Sequence, residues 1–340
     1  MSINKEEVVL KDIDNPTISQ QDLLIRIAYC ALSNMDINSF HFGNTNAYPQ
    51  IFGNEFSGII EEIGFNVKNF QVGDRVIANP IIPCGKCDDC REGKSENCTD
   101  SSFVGVDLQG CMAEYLSIPA DNCIKIPEPM SLKEASLIGP ASVALDAIHH
   151  ANINHDSQIV VIGASMIGIL FARMLQVMNI DVTLVDVSEK RLETAKGFGI
   201  SNYINLTTKK EFQLDSLTSG NKQYTFVLAE NRDRFSDFLS KVELSITLGG
   251  NKKETIISKM IFQQILQGEY RNIEELADFR AVRNGEWKKT LQFLIDHEIS
   301  LEPFIAKIYD FSQSEIPFYE ALKLKEEGKK VLYKVQYVNE

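Results

Sequence analysis

The chain has 340 residues, 44% of them hydrophobic, and a formal net charge of -13 at pH 7. This length and apolar content allow two sizeable cores, so about two domains are expected. The acidic balance offers no basic face for a phosphate backbone and argues against a nucleic-acid partner. No apolar run is as long as a membrane span, and the start, MSINKEEVVL, lacks a signal-peptide pattern. We therefore expect a cytoplasmic protein with no membrane partner.

The first part of the chain, residues 8–117, is rich in strand patterns. Its apolar or alternating segments are separated by Gly, Asn, Asp and Pro residues, and they read LLIRIAYC, GIIEEIG, GDRVIANP and AEYLSI. Short strands broken by turn residues are typical of a β domain. The pattern predicts an irregular, barrel-like β domain.

Within this part, Cys84, Cys87, Cys90 and Cys98 have the spacing C-x2-C-x2-C-x7-C. Four thiolates in one short loop suit a closed tetrahedral zinc site that holds the loop in shape. An iron–sulfur cluster is the alternative, but the bacterial spacing ends in C-x3-C-P, whereas Thr99 follows Cys98 here. Four free thiols on an exposed loop would oxidise readily. We therefore predict one structural Zn²⁺.

Helical periodicity starts near Leu132, and strands and helices then alternate. The segments are LKEASLIGPASVALDAIHHA, SEKRLETAKGFG, the strand TFVLAE, a helix over 235–242, the strand LSITLGG and a helix over 286–297. The tail, residues 305–338, contains a strand, a charged helix and a closing strand. The alternation predicts an α/β fold with a doubly wound sheet.

Residues 158–186 form the centre of that pattern. The strand Ile159 to Ile162 has no polar alternation, as a strand covered on both faces requires, and it ends at Gly163. A helix is predicted over 167–177, and a second strand over 182–185 ends in Asp186. The turn between strand and helix reads G-A-S-M-I-G.

Strand, turn, helix, strand and terminal acid in this order predict a dinucleotide site. The helix N-terminus favours a pyrophosphate, and the acid would accept hydrogen bonds from a ribose 2′-OH, which favours NAD(H). Ser165 stands where the fingerprint has its middle glycine, which lowers the expected affinity. An ordinary βαβ turn without a ligand is the alternative. The predicted cofactor-binding residues are Gly163, Ser165, Met166, Ile167, Gly168 and Asp186.

Several segments together resemble the zinc-containing medium-chain dehydrogenase/reductase superfamily, and especially its polyol dehydrogenases. They are YPQIFGNEFSGIIEEIG, VGDRVIANPIIPCGKCDDCREGKSENC, GCMAEYLSIPADNCIKIP, the turn region with DVSEKRLETAKGFG, and GEWKKTLQFLIDHEISLEPFI. The resemblance implies a GroES-like catalytic domain of residues 1–146 and 284–340, a Rossmann domain of residues 147–283, and an active site between them. It also implies a small-molecule substrate, a homodimer or homotetramer, and a position for Arg191 near the adenosine end of NAD.

The chain departs from the family at its catalytic motifs. The family's C-G-x-D, whose cysteine ligates a catalytic zinc, corresponds to residues 33–36, where Ser33 replaces the cysteine. The family's G-H-E corresponds to residues 53–55, where Asn54 replaces a histidine ligand, and Gly139 replaces a glutamate before a proline. Catalytic zinc needs about three protein ligands, so a catalytic Zn²⁺ is doubtful. Asp36 and Glu55 are the candidate catalytic residues.

Other titratable side chains near these motifs are weaker candidates. His41 is expected to be a solvent-facing loop histidine. Asp146 could face the cleft or lie on a polar helix face, and His149 and His150 follow it by about one turn. We assign a ligand role to none of them.

Three functions agree with these residues. The first is an NAD(H)-dependent oxidoreductase of the alcohol/polyol dehydrogenase type, acting on a polyol or sugar phosphate. The second is a zinc-independent reductase of an activated carbonyl or double bond. The third is a non-catalytic NAD-binding sensor or partner protein.

Overall fold

The computed structural model describes residues 2–43, 49–150, 153, 155, 157–208 and 284–336 and the strands at 223–227, 254–258 and 274–277. The chain forms two compact units. The first consists of Met1–Gly139, Arg283–Lys325 and Lys329–Glu340, and the second of Pro140–Val282 and Glu326–Gly328. The domain limits at residues 146 and 284 stay a prediction of the sequence.

The first unit is built around a seven-stranded sheet. Its strands, with two two-stranded sheets beside it, are β1 Ser2–Asn4, β2 Glu7–Val8, β3 Asp22–Ala31, β4 Glu55–Ile63, β5 Arg75–Ala78, β6 Ile81–Ile82, β7 Ser102–Phe103, β8 Tyr115–Pro119 and β9 Cys123–Lys125. Near the end of the chain, β16 Ile305–Asp310 and β17 Lys330–Lys334 complete the sheet. The order is β16-β17-β3-β4-β5-β9, with β8 also paired to β3. The returning C-terminal strands therefore form one edge of the sheet.

The central strand β3 explains how the core of this unit forms. Its sequence DLLIRIAYCA is apolar at nearly every position, and consecutive residues are buried, so both of its faces are covered, while β4, β8 and β17 pair with its edges. Leu23, Ile25 and Ile27 have no exposed surface. Burial of large aliphatic side chains contributes about 1.5–3 kcal/mol each. The core thus fixes the C-terminal end of β3, from which the chain enters the candidate site.

The helices of the first unit lie in the connections. They are α1 Asn34–Phe42, α2 Asp88–Arg91, α3 Leu132–Ala135, α7 Asn284–Asp296 and α8 Ile316–Leu324. Helix α1 follows β3 directly and packs on α8, where the rings of Phe40 and Phe318 stack with centroids 4.5 Å apart. This packing orients the N-terminus of α1.

The second unit contains six parallel strands among the described residues. They are β10 Gln158–Ile162, β11 Asp181–Asp186, β12 Tyr203–Asn205, β13 Gln223–Val227, β14 Glu254–Ser258 and β15 Glu274–Ala277, in the order β12-β11-β10-β13-β14-β15. The order reverses at β10, as in a doubly wound sheet, where ligands bind beyond the carboxyl ends of the strands. Its described helices are α4 Ile138–His150, which begins in the first unit, α5 Met166–Val177 and α6 Glu189–Gly197.

The predicted fold class, a Rossmann domain with a GroES-like β domain, is confirmed. The helix over 167–177 is observed from Met166, and the strands over 159–162 and 182–185 are one or two residues longer than predicted. The helix at 235–242 and the strand LSITLGG lie outside the described residues. In the described part, no helix has the length and apolarity needed to cross a membrane.

Candidate functional site

Three adjacent strands, β4, β3 and β17, bring the candidate catalytic residues together where their ends meet. Ala31, the last residue of β3, pairs with Glu55, the first residue of β4, and with Leu332 of β17. Lys330 begins β17. Ser33 lies two residues beyond β3 and is the N-cap of α1. The sheet register therefore places a serine, a glutamate and a lysine close together.

Ser33 and Asp36 form a capping box at the start of α1. The Ser33 hydroxyl accepts a hydrogen bond from the backbone N–H of Asp36 at 3.2 Å and donates one to Asp36 Oδ2 at 2.6 Å. The Ser33 N–H donates to the same carboxylate oxygen at 2.9 Å. These bonds satisfy backbone N–H donors that the first turn of a helix leaves free, so Ser33 and Asp36 stabilise the N-terminus of α1.

Asn54 and Gly53 extend this network. The Asn54 Nδ2 donates to the Ser33 hydroxyl at 3.1 Å, and the Gly53 N–H donates to Asp36 Oδ1 at 2.9 Å. A hydroxyl has one hydrogen to donate and two lone pairs that accept. The Ser33 hydroxyl now donates once and accepts twice, so its bonding capacity is used within the protein. Asp36 is only 2% exposed; burial raises its pKa, and its hydrogen bonds from Ser33 and Gly53 oppose that shift.

Glu55 forms an ion pair with Lys330, a residue that the sequence analysis did not identify. The Lys330 Nζ lies 3.1 Å from Glu55 Oε1, 3.0 Å from Oε2 and 3.3 Å from the Leu32 carbonyl oxygen. The two side chains are 13% and 12% exposed. Burial raises the pKa of Glu55, and the adjacent ammonium opposes this rise. An ammonium has three N–H donors, and all three of Lys330 have partners.

This donor set does not fit a catalytic zinc. Zinc in such sites takes about three ligands from thiolate, imidazole or carboxylate groups. Ser33 and Asn54 offer a hydroxyl and an amide that are bonded to each other, and the Glu55 carboxylate is neutralised by Lys330. A lone carboxylate already paired with a cation cannot close a zinc site.

The four predicted zinc ligands do come together. The sulfur atoms of Cys84, Cys87, Cys90 and Cys98 lie within 4.8 Å of one another, and Cys84 Sγ is 4.0 Å from Cys90 Sγ. Tetrahedral coordination at about 2.3 Å requires sulfurs separated by roughly 3.8 Å. Among the residues that the structure describes, this is the cluster of Cys, His, Asp and Glu side chains that could hold a metal ion.

Backbone N–H groups prepare the loop for thiolates. The N–H of Cys84 donates to Cys98 Sγ at 3.3 Å, and the N–H of Cys87 donates to Cys84 Sγ at 3.4 Å. Backbone N–H groups of Lys86 and Cys87 lower the pKa of Cys84 to about 6, whereas burial and the hydrogen bond with Cys87 raise the pKa of Cys90 to about 12, so Cys84 is the thiol that is deprotonated first. Deprotonated sulfur is the form that binds metal, so the loop fits a closed zinc site.

The predicted cofactor turn lies at the carboxyl end of β10. Gly163 has φ of 107°, in the left-handed region, and a Cβ added at Gly168 would lie only 1.9 Å from the Gly163 carbonyl oxygen. Both positions therefore require glycine. Ser165 is the N-cap of α5 and accepts from the Gly168 N–H at 3.2 Å, and Met166 and Ile167 begin the helix. The serine in place of the fingerprint glycine thus caps the helix.

Asp186 ends β11 beside this turn. Its Oδ2 accepts from the Ala164 N–H at 2.6 Å and its Oδ1 from the Ser188 N–H at 2.8 Å. The Asp186 side chain is 1% exposed, and its two oxygens connect the turn to the start of α6. Arg191 is buried in the first turns of α6, which Ser188 caps. The glycines, the helix N-terminus and the acid together fit a dinucleotide.

The structure also places His41, Asp146 and His149, the weaker candidates of the sequence analysis. The expectation that His41 is a solvent-facing loop residue is wrong, because it lies buried in the last turn of α1. Its Nδ1 is 3.3 Å from Glu6 Oε1, and its ring lies edge-on to that of Tyr319. Asp146 is buried in the second unit, which excludes an exposed polar face, and His149 is exposed.

Comparisons with known proteins agree with this architecture. Residues 19–128 match the model of the alcohol dehydrogenase GroES-like domain. A sorbitol dehydrogenase of Arabidopsis thaliana is 29% identical over 88% of this chain and 85% of its own. An L-threonine 3-dehydrogenase of Shewanella loihica is 35% identical over 61% of this chain and 62% of its own. The crystal structure of galactitol-1-phosphate dehydrogenase from Escherichia coli superposes with a TM-score of 0.77 over 98% of this chain and 99% of its own, at 24% identity.

Taken with the two folds and the cysteine loop, these matches define the class of protein. Residues 19–128 belong to the alcohol dehydrogenase GroES-like domain family, and the chain as a whole is similar to members of the zinc-containing medium-chain dehydrogenase/reductase superfamily. Its relatives are named dehydrogenases, and the chain is an alcohol/polyol dehydrogenase-like oxidoreductase.

Proposed function

We propose that this protein is an NAD(H)-dependent oxidoreductase that acts on a polyol or sugar phosphate with one structural zinc and no catalytic zinc. The observation that carries the proposal is the Ser33 hydroxyl, whose donor and both acceptor positions are taken by Asp36 and Asn54. A group in this state has no electron pair for a metal ion. We further propose a cytoplasmic homodimer or homotetramer, as the resemblance implies.

The second unit would hold the cofactor. Gly163 and Gly168 allow the backbone to approach the pyrophosphate, and the N-terminus of α5 would stabilise its charge. Asp186, at the end of β11, has the position of the acid that accepts from the adenosine ribose in such sites. Bound NADH or NAD⁺ would donate or accept the hydride.

The first unit would supply the group that transfers the proton accompanying the hydride. Asp36 accepts three hydrogen bonds from Ser33 and Gly53 and is fully enclosed, so its carboxylate is committed to the capping box. Glu55 is partly exposed and has a raised pKa, which brings the carboxyl closer to the range of a general acid or base. We assign the proton transfer to Glu55 and the positioning of the α1 N-terminus to Asp36.

A second candidate is a zinc-independent reductase of an activated carbonyl or double bond. Lys330 favours it, because all three N–H groups of this cation are bonded to Glu55 and Leu32 and none is left to polarise a substrate oxygen. A substrate that is already electron-poor needs less polarisation than an alcohol.

The test starts with a titration of NADH, followed by assays of nicotinamide absorbance with polyols, polyol phosphates, carbonyl compounds and quinones. We expect turnover that persists after a chelator has removed loosely bound metal. Glu55→Gln should lower kcat by about 10²-fold or more, the usual contribution of a general acid or base. Glu61→Gln, an exposed glutamate of β4, is the matched control.

Each outcome separates the candidates. Turnover only with quinones or activated carbonyls would favour the second candidate. NADH binding without turnover on the whole panel would favour a non-catalytic NAD-binding protein, and activity that disappears with chelation would contradict the absence of a catalytic metal.

A further inference from the structure

Two cysteines outside the zinc loop lie in contact inside the first unit. Cys30 Sγ is 3.2 Å from Cys111 Sγ, although 81 residues separate them in sequence. Both side chains have no exposed surface. A disulfide bond has a sulfur–sulfur distance of about 2.05 Å, so the two atoms would need to approach by roughly 1 Å.

The chain around the two sulfurs allows such an approach. Cys30 is held in the central strand β3, where it pairs with Phe56 and Tyr333 on its two neighbours. Cys111 lies in an irregular segment between β7 and β8, outside any strand or helix. Both backbones are held, Cys30 by strand pairing and Cys111 by the hydrogen bond from its N–H to the Gly53 carbonyl oxygen, so the two sulfurs would close the remaining distance through small side-chain rotations.

Gly53 provides the space in which the sulfurs meet. A Cβ added at Gly53 would lie 2.7 Å from Cys111 Sγ and 3.0 Å from Cys30 Sγ, so only glycine leaves room for the pair. The Gly53 carbonyl accepts from the Cys111 N–H at 3.0 Å, and its own N–H donates to Asp36. The cysteine pair is thus one residue away from the Ser33–Asp36–Asn54 network.

We propose that Cys30 and Cys111 form a reversible intramolecular disulfide, a modification site distinct from the zinc loop. With hydrogen peroxide as the oxidant, one thiolate attacks the peroxide to give a sulfenic acid and water. The second thiol then displaces water from the sulfenic sulfur. In total, two thiols lose two electrons and two hydrogens, and one peroxide becomes two water molecules.

Burial controls the rate of this reaction. The hydrogen bond with Cys111 and burial raise the pKa of Cys30, and burial raises that of Cys111. The neutral thiol is a poor nucleophile, so reaction requires local opening and is slow at neutral pH. Once one sulfur is oxidised, the other is already in contact, and closure of the disulfide is then fast compared with further oxidation.

The first test uses the full-length, zinc-loaded wild-type protein. Reduced protein is incubated with hydrogen peroxide, free thiols are alkylated after denaturation, and unreduced peptides are analysed by mass spectrometry. We expect a Cys30–Cys111 linked peptide two hydrogens lighter than its separate parts, an equal loss of alkylation at both residues, and reversal by a thiol reductant. Cys123, which is buried and whose thiol donates to the Pro119 carbonyl oxygen, should stay fully alkylated.

Three results would overturn the proposal. They are full alkylation of Cys30 and Cys111 when other cysteines have been oxidised, their conversion to sulfinic acids without a link, and linkage of either residue to a different cysteine. Wild-type protein suffices for this experiment, so it does not depend on a variant that folds poorly.

A second measurement tests the coupling to Gly53. Hydrogen exchange of the peptide that contains the Gly53 amide should change on oxidation in the wild type and in Cys123→Ser, but not in Cys111→Ser. Equal exchange in oxidised and reduced wild-type protein would contradict the coupling. Neither experiment depends on turnover or on NADH.

Discussion

Ser33 illustrates how a single side chain decides the chemistry of its site. A hydroxyl at the N-cap of α1 is drawn into bonds with Asp36 and Asn54, whereas a thiolate there could serve as a metal ligand. The positive charge nearest to Glu55 is then the Lys330 ammonium at 3.0 Å. The electrostatics of the site therefore rest on one ion pair.

The first prediction concerns that ion pair. Lys330→Met leaves the Glu55 carboxylate buried without a counter-charge, which typically costs about 3 kcal/mol of folding free energy. We expect a lower melting temperature by calorimetry. Lys323→Met, the same change at an exposed lysine of α8, should have little effect. An unchanged melting temperature in Lys330→Met would show that the pair does not stabilise the fold.

The pH dependence of this loss has a definite sign. Without the ammonium, the folded-state pKa of Glu55 rises further above its unfolded value, so stability falls as pH rises through the interval between them. The loss caused by Lys330→Met should therefore be larger at about pH 8 than at about pH 5. A loss that is equal at both pH values would contradict this assignment.

At the scale of the elements, the turn from β10 into α5 is tightly constrained. Gly168 faces the Gly163 carbonyl oxygen so closely that any side chain there must displace the turn. By contrast, a Cβ at Gly197, at the end of α6, would meet no atom within 4 Å. The two glycines form a matched pair for testing the cofactor site.

The second prediction uses this pair. Gly168→Ala should weaken NADH binding at least about tenfold, equivalent to 1.4 kcal/mol or more, because the helix N-terminus moves away from the pyrophosphate. Gly197→Ala should bind NADH like the wild type and can gain up to about 1 kcal/mol of helix stability. Fluorescence titration measures both. Equal NADH affinity in the two variants would show that the pyrophosphate does not bind at this turn.

The cysteine loop gives the third prediction. Cys98→Ser removes one of four ligands and one acceptor of a backbone N–H, so the purified protein should contain little zinc and melt at a lower temperature. Cys123→Ser, in β9 and outside the cluster, should keep its zinc. Wild-type zinc content in Cys98→Ser, measured by elemental analysis, would mean that the metal lies elsewhere.

The features that could be predicted from the sequence are those that depend on residues close together in the chain. The apolar run at 159–162, the glycines of the turn and the spacing of the four cysteines are each read from adjacent residues. Lys330 could not be found in this way, because its partner Glu55 is distant in sequence and only the pairing of β17 with β3 joins them. His41 was misjudged for the same reason, since its burial depends on packing of α1 against α8.

At the scale of the whole molecule, the chain retains both folds and the loop metal site of its superfamily and differs where a catalytic metal would bind. The predicted cofactor turn and the closed network at Ser33 lie in different units, so we expect cofactor binding to be independent of the replaced metal ligands. This combination predicts a nucleotide-dependent protein with a single zinc.

Zinc content per chain is the measurement that tests this account most directly. Protein purified without added metal should contain one zinc per chain, and anomalous scattering from its crystals should place that ion among Cys84, Cys87, Cys90 and Cys98. A second, fully occupied zinc bound near Ser33, Asn54 and Glu55 would contradict the account.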